Sequence, residues 1–223
     1  MYSYSRLSPI ESEKLTLNKI LVAKLRPKTV LEPFAGDGTS TRIFARHAEQ
    51  VVAIEKDRKY IARLLRNSLT RKVTVMLADN LRVLPLLSPQ SFELIDLDPY
   101  GSCYSQIELS ARLLDRKGVL MISSGEIQRV VRGLKLARFP GSREYKGRRA
   151  VLWARDVWIP YLRKLISIHG HRVRVLHSFV SPVLIRVIFV GEKAPVDSGF
   201  VSRRPKYLGW FRKAALEFGL AHW

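Results

Sequence analysis

The stretch IDLDPYGS, Ile95 to Ser102, decides how the rest of the chain is read. Its first three residues have the composition of a buried strand end, and the next five make a tight, polar exit. Proline cannot donate to a β-ladder and fixes its own φ, so the strand must stop at Pro99 with Asp98 pointing outward. An acid followed by proline and an aromatic suits holding the exocyclic amino group of a flat base. Asp98 and the Pro99 carbonyl can each accept one amino hydrogen, and Tyr100 can stack on the ring. Asp-Pro and Gly-Ser are also common turn chemistry, so this stretch alone leaves an ordinary strand-ending turn open.

Upstream, apolar residues at 17, 20, 21 and 25 predict a helix over Ile10 to Leu25, closed by Pro27. Short apolar runs predict strands at Thr29–Phe34, Val51–Glu55, Val73–Leu77 and Phe92–Leu97. Between them, Thr39 and Ser40 are good helix-capping types, and Asp57 opens a helix carrying Ile61, Leu64, Leu65 and Leu69. A helix near residues 103–115 leads to a fifth strand, Gly118–Ser124. Five alternations of strand and helix imply a parallel sheet covered on both faces. An irregular basic stretch, Arg129–Arg149, then precedes a helix with Trp158, Tyr161, Leu162 and Leu165 on one face. His171–Val180 and Val183–Val190, separated by Ser181-Pro182, should pair antiparallel. A tail follows, with a short helix expected near Lys206–Phe218.

The 223 residues suffice for one α/β domain, and 47% hydrophobic with 26% charged residues marks a globular chain. No apolar run approaches the ~20 residues of a membrane span, and the N-terminus lacks a signal-peptide pattern. A single cysteine, Cys103, excludes an internal disulfide and a multi-cysteine metal site. A cytoplasmic location is therefore expected. Thirty-nine basic residues against 19 acidic ones give a net charge of +20, a balance usually kept for a polyanion such as nucleic acid.

Glu32-Pro33-Phe34-Ala35-Gly36-Asp37-Gly38 lies between a strand and a helix, where two glycines let backbone approach a ligand closely. A dinucleotide fingerprint would need a third glycine where Thr41 stands. The carboxylates of Glu32 and Asp37 suit a cationic or hydroxyl-bearing ligand. Glu55, followed by Lys56, ends the second strand where doubly wound folds hold a ribose diol, and Asp79-Asn80 ends the third within reach of an adenine amino group. Each element also has a dull explanation, as a turn or a helix cap. Their order and spacing together point to one crevice.

The order EPFAGDG, VVAIE, LADN and IDLDPYGS resembles the class I S-adenosylmethionine-dependent methyltransferases. DLDPYGS further resembles the Asp-Pro-Phe/Tyr-Gly-Ser stretch of the tRNA guanine-N2 (di)methyltransferases, as do RKGVLMIS and LHSFVSPVLIRVIFV after it. The likeness covers roughly residues 29–190. EPFAGDG looks more like the DNA amino-methyltransferases, and Cys103 stands where the family often has proline. Residues 192–223 follow the last strand where the family carries a large C-terminal domain.

The resemblance implies a doubly wound, mostly parallel seven-stranded Rossmann-like α/β sheet with the last strand antiparallel. It implies an N-terminal arm and helix over 1–28, a methyltransferase domain over 29–191 with a basic insertion at 126–150, and a basic tail over 192–223. It implies S-adenosyl-L-methionine held by Glu32, Phe34, Gly36, Asp37, Gly38, Glu55, Lys56, Asp79, Asn80 and Asp98, with Asp98, Pro99 and Tyr100 catalytic. The partner expected is tRNA, with no membrane and no metal. Arg129, Arg132, Arg143, Lys146, Arg148 and Arg149, interleaved with Phe139 and Tyr145, fit a phosphate-tracking loop. Two alternatives stay open: a DNA amino-methyltransferase acting on adenine N6 or cytosine N4, and a catalytically silent nucleic-acid-binding relative. Cys103 as a cytosine-C5 nucleophile and His169, His171 and His177 as metal ligands are weaker readings, since neither a Pro-Cys pair nor an acid cluster accompanies them.

Overall fold

The structure is a computed structural model that describes residues 9–191; the expected tail helix and the first eight residues lie outside that range. Helix α1 (Pro9–Leu25) precedes β1 (Thr29–Glu32), α2 (Thr39–Ala45), β2 (Gln50–Glu55), α3 (Arg58–Asn67) and β3 (Val73–Leu77). Then come α4 (Asn80–Val83), β4 (Phe92–Leu97), α5 (Tyr104–Leu113), β5 (Leu114–Ser124) and α6 (Ile127–Val131). The chain continues through α7 (Ala150–Trp153), a π turn at Ala154–Trp158, α8 (Ile159–Ser167), β6 (Val173–Val180) and β7 (Ile185–Gly191).

The seven strands run in the order β3-β2-β1-β4-β5-β7-β6. The first five are parallel, and β7 inserts antiparallel between β5 and β6. The expected α/β class and antiparallel last strand are thus present. Strand order reverses at β1, whose neighbours are β2 and β4, and ligands of doubly wound sheets bind at such a switch point.

Both faces are covered, which is why the central strands read as continuous apolar runs. One face packs Val30, Val51, Leu94, Met121 and Ile188 under Leu21 and Val22 of α1 and Phe44 of α2. The other packs Leu31, Ile54, Ile95, Ile122 and Phe189 against α5, Trp153, Trp158 and Leu162. Helix α1 therefore joins the core of the domain rather than standing outside it.

Several local expectations are corrected. β1 ends two residues early, at Glu32, because Pro33 cannot continue the ladder. Thr39 and Ser40 lie inside α2, whose cap is Gly38 at φ 83; Thr39 instead donates its hydroxyl to Asp37 Oδ1 at 2.7 Å. α3 stops at Asn67, so its apolar stripe reduces to Leu64 and Ile61, with Leu65 and Leu69 exposed. β5 starts at Leu114 rather than Gly118, because β4 keeps Phe92 paired with Leu114 across a register shift.

Candidate active site

The β1–α2 loop is fastened from three sides. Ala35 N donates to Ile54 O at 3.0 Å, Asn67 Nδ2 to Asp37 O at 2.8 Å, and Asn80 Nδ2 to Pro33 O at 2.8 Å. Its two glycines play different parts. A Cβ on Gly38 would sit 2.8 Å from Leu64 Cδ1, so that glycine is demanded by φ and by packing. Gly36, at φ 56, has nothing within 4 Å of where a Cβ would stand, and the loop is open there.

Glu55 lies beside that opening. One carboxylate oxygen accepts from Gly36 N at 2.8 Å and the other from Asp57 N at 2.8 Å, which fixes the group and leaves lone pairs on both oxygens. Glu32 is buried and accepts the Thr41 hydroxyl at 2.5 Å; burial pushes its carboxyl well above the usual range. Asp37 accepts from Thr39 N at the start of α2, and Asp79, which is exposed, caps α4. Asn80 is buried and tied to Pro33 and Gln106, so it braces the loop rather than facing the crevice. Phe34 packs partly into the core, and Lys56 is exposed.

The β4 end is organised by charge. Asp98 pairs through Oδ2 with Lys14 of α1, and its Oδ1 stands 3.9 Å from Arg186 Nη1 of β7. Burial would raise the Asp98 carboxyl, but Lys14, Arg186 and Ser123 outweigh it and hold the group below the usual carboxylate range. Tyr100 is 99% exposed, so its ring is free to stack, and its hydroxyl lies 3.4 Å from that of Tyr60 on α3. That contact pushes the phenol up to about 12 and keeps it neutral.

Behind Asp98 lies a buried set that the sequence reading missed: Asp96, Asn18, Ser123 and Arg186. Alternation puts Asp96, Ser123 and Arg186 on the α1 face of β4, β5 and β7, and Lys14 and Asn18 share a helix face four residues apart. A signal existed. One arginine inside VLIRVIFV and one aspartate inside FELIDL, both in strands buried on two faces, must find partners.

The basic stretch is not an irregular loop. It holds α6 and two 3₁₀ turns, Pro140–Tyr145 and Gly147–Arg149, anchored by buried Leu136, Phe139 and Ser142. Phe139, expected among the aromatics facing nucleic acid, is instead core, edge-on to Trp153 at 5.5 Å and Tyr161 at 5.2 Å. Gly125 N donates to Gly101 O at 3.3 Å, which sets the start of the stretch against the Asp98 loop. Arg129, Arg132, Arg143, Lys146, Arg148 and Arg149 are all exposed.

Cys103 is buried before α5 with its thiol pushed far up by burial, the wrong state for a nucleophile. His171 and His177 lie in or beside β6, lowered by burial, and among the described residues no group of three His, Cys, Asp or Glu side chains could hold a metal. No helix of the described residues is long and apolar enough to cross a membrane.

Residues 8–88 match the family model for ribosomal RNA adenine dimethylase. The chain is 31% identical over 113 residues to tRNA (guanine(26)-N(2))-dimethyltransferase 1 of Arabidopsis thaliana, a match covering 47% of this chain and 19% of that protein. It superposes on Trm1 from Pyrococcus horikoshii, solved with S-adenosyl-L-methionine, with a TM-score of 0.71 at 17% identity, over 84% of this chain and 56% of that one. Trm5b from Pyrococcus abyssi gives a TM-score of 0.56 at 17% identity, over 82% and 49% of the two chains. The chain thus spans less than two thirds of the length of each of these three proteins. Its fold is the one shared by these class I methyltransferases. Within that class it resembles the tRNA guanine-N2 dimethyltransferases.

Proposed function

We propose that this chain is an enzyme transferring a methyl group from S-adenosylmethionine to the exocyclic N2 amine of guanine in tRNA. The observation that carries the reading is the exit of β4, where a carboxylate kept ionised by two cations stands beside a wholly exposed aromatic ring. S-adenosylmethionine supplies an electrophilic methyl group on a sulfonium. The residues fit it in shape and charge. The open space at Gly36 allows close approach, and the Glu55 oxygens keep lone pairs for a diol. The Asp98 and Glu55 carboxylates at the strand ends give the crevice negative charge to meet a cationic ligand.

Asp98 and the Pro99 carbonyl would take one amino hydrogen each, turning the nitrogen lone pair out of the ring plane, and Asp98 would stabilise the positive charge that grows there. The displacement is in line, so positioning supplies most of the catalysis. Tyr100 would stack on the base, a contact worth ~1–3 kcal/mol in single-strand binders. The base must leave its helix to reach the site. No base of raised pKa is required, because the methylated amine loses its proton readily to water. Arg129, Arg132, Arg143, Lys146, Arg148 and Arg149 would track phosphates beside the crevice, in keeping with the net charge of +20. A cytoplasmic location is part of the same proposal.

One observation favours a second target, adenine N6 in ribosomal RNA: the family model of that name matches residues 8–88. Its match stops short of Asp98, so it bears on the cofactor half of the crevice. Incubation with tRNA, ribosomal RNA and DNA, then mass spectrometry of the nucleosides, separates the readings. N2-methylguanosine in tRNA supports the first, and N6-methyladenosine in ribosomal RNA would replace it with the second.

A further inference from the structure

Arg186 lies in the middle of β7 with its side chain wholly buried, between Ile185 and Val187 of an otherwise apolar strand. Its Nη2 donates to Asp96 Oδ1 at 2.9 Å and to Asn18 Oδ1 at 2.7 Å, and its Nη1 donates to Ser123 Oγ at 2.5 Å. Asn18 closes the ring by donating to Asp96 Oδ2 at 3.2 Å. Four elements, α1, β4, β5 and β7, thus meet on one guanidinium, whose Nε has no hydrogen-bond partner among the described residues. A buried ion pair is a weak source of stability, and apolar residues of similar volume usually serve as well or better. Stability alone therefore does not account for this arginine.

Resting on the reading of Asp98 as the amine acceptor, we infer that Arg186 is its positioning residue: with Lys14 it fixes the Asp98 side chain, as a carboxylate, at the mouth of the crevice. The two cations approach opposite oxygens, Lys14 on Oδ2 and Arg186 3.9 Å from Oδ1. Asp96 anchors the guanidinium from below, and Ser123 aims its Nη1 end toward Asp98. The other titratable groups facing Asp98 work against its ionisation. They are Asp96 on its own strand and Glu32 from β1, with the Cys103 thiol close by. Burial acts in the same direction, and the cations with Ser123 overcome it. A carboxylate at this place accepts the substrate's amino hydrogen and stabilises the charge that grows on its nitrogen; a neutral acid accepts more weakly and supplies no charge.

An ionised acceptor is lost as pH falls through its pKa, and an opposite charge within ~4–6 Å lowers a carboxyl pKa by ~1–3 units. Removing Arg186 should therefore move the acid limb of methyl transfer to higher pH. The experiment follows kcat against pH for the wild type, Arg186→Gln, Arg186→Lys and Ser123→Ala. In parallel, the Asp98 carboxyl is titrated by NMR in the same proteins without substrate. Arg186→Gln should shift both curves upward by about one unit or more, and Arg186→Lys should restore most of the shift. Ser123→Ala, a mild change that frees the Nη1 end, should shift them the same way by less, and it carries the test should Arg186→Gln not fold. A loss of activity by one factor at every pH, with the Asp98 titration unmoved, would overturn the inference. If the titration shifts while the wild type methylates no substrate, the acceptor reading falls and the control of Asp98 by Arg186 stands.

Discussion

The two ends of the crevice hold their carboxylates by opposite means. At the β1–β3 end the partners are neutral: backbone N–H groups on Glu55, Asp37 and Asp79, and a hydroxyl on Glu32. At the β4–β7 end they are cations, Lys14 on Asp98 and Arg186 on Asp96 and Asp98. Neutral donors orient a carboxylate and leave its charge available to a ligand. Cations orient it and also keep it charged in a buried place. The first arrangement suits a site that binds a positively charged, hydroxyl-bearing molecule, and the second suits one acid that must stay ionised through a reaction.

Substitution tests that contrast. The largest effect should come from Asp98→Ala, which removes the acceptor: methyl transfer is expected to fall about 100- to 1,000-fold, by the scale seen when one charge-stabilising group is lost. Binding of tRNA, followed by filter retention, should persist, because the exposed bases lie elsewhere. Next come the two loop glycines. Gly38→Ala forces a left-handed alanine against Leu64 and should cost about 2–3 kcal/mol in urea unfolding. Gly36→Ala, at the same kind of φ but with open space, should cost only about 1–2 kcal/mol of stability and should act chiefly on cofactor affinity measured by calorimetry. Equal destabilisation by the two would erase the distinction between packed and ligand-facing glycine.

Smaller effects sharpen the picture. Glu55→Ala leaves the N–H groups of Gly36 and Asp57 without their acceptor and should weaken cofactor binding about 10-fold by calorimetry. Arg148→Ala with Arg149→Ala should flatten the salt dependence of RNA binding by up to ~0.7–0.9 of a log-log slope unit per phosphate contact, with cofactor affinity unchanged. An unaltered slope would move the RNA path away from the 3₁₀ turns.

The same contrast explains what could be read from the sequence. At the β1–β3 end each acid finds its partner 2 to 19 residues away, within one strand-loop-helix unit, so EPFAGDG and VVAIE carried both the elements and the crevice. At the other end the partners lie 84 residues apart for Lys14 and Asp98, 90 for Arg186 and Asp96, and 168 for Arg186 and Asn18. No local pattern encodes such pairings; they follow only once α1 is laid across β4, β5 and β7. Phe139 failed for a related reason. Interleaving with basic residues is the pattern of a nucleic-acid loop, but the aromatic packing with Trp153 and Tyr161 depends on α7 and α8 folding back over it. The strand exit at Asp98, Pro99 and Tyr100 was legible because proline ends a strand wherever the strand lies.

One measurement bears most directly on the central claim, the attack of an exocyclic base amine held at Asp98. Unmodified tRNA is incubated with the protein and isotopically labelled S-adenosylmethionine, digested, and its nucleosides are resolved by mass spectrometry, with Asp98→Ala in parallel. The account predicts label in N2-methylguanosine, with or without its dimethyl form, and about 100- to 1,000-fold slower labelling by the variant. Label in 5-methylcytidine or in a ribose 2′-O-methyl group would contradict it, because neither product needs an acceptor for an amino hydrogen.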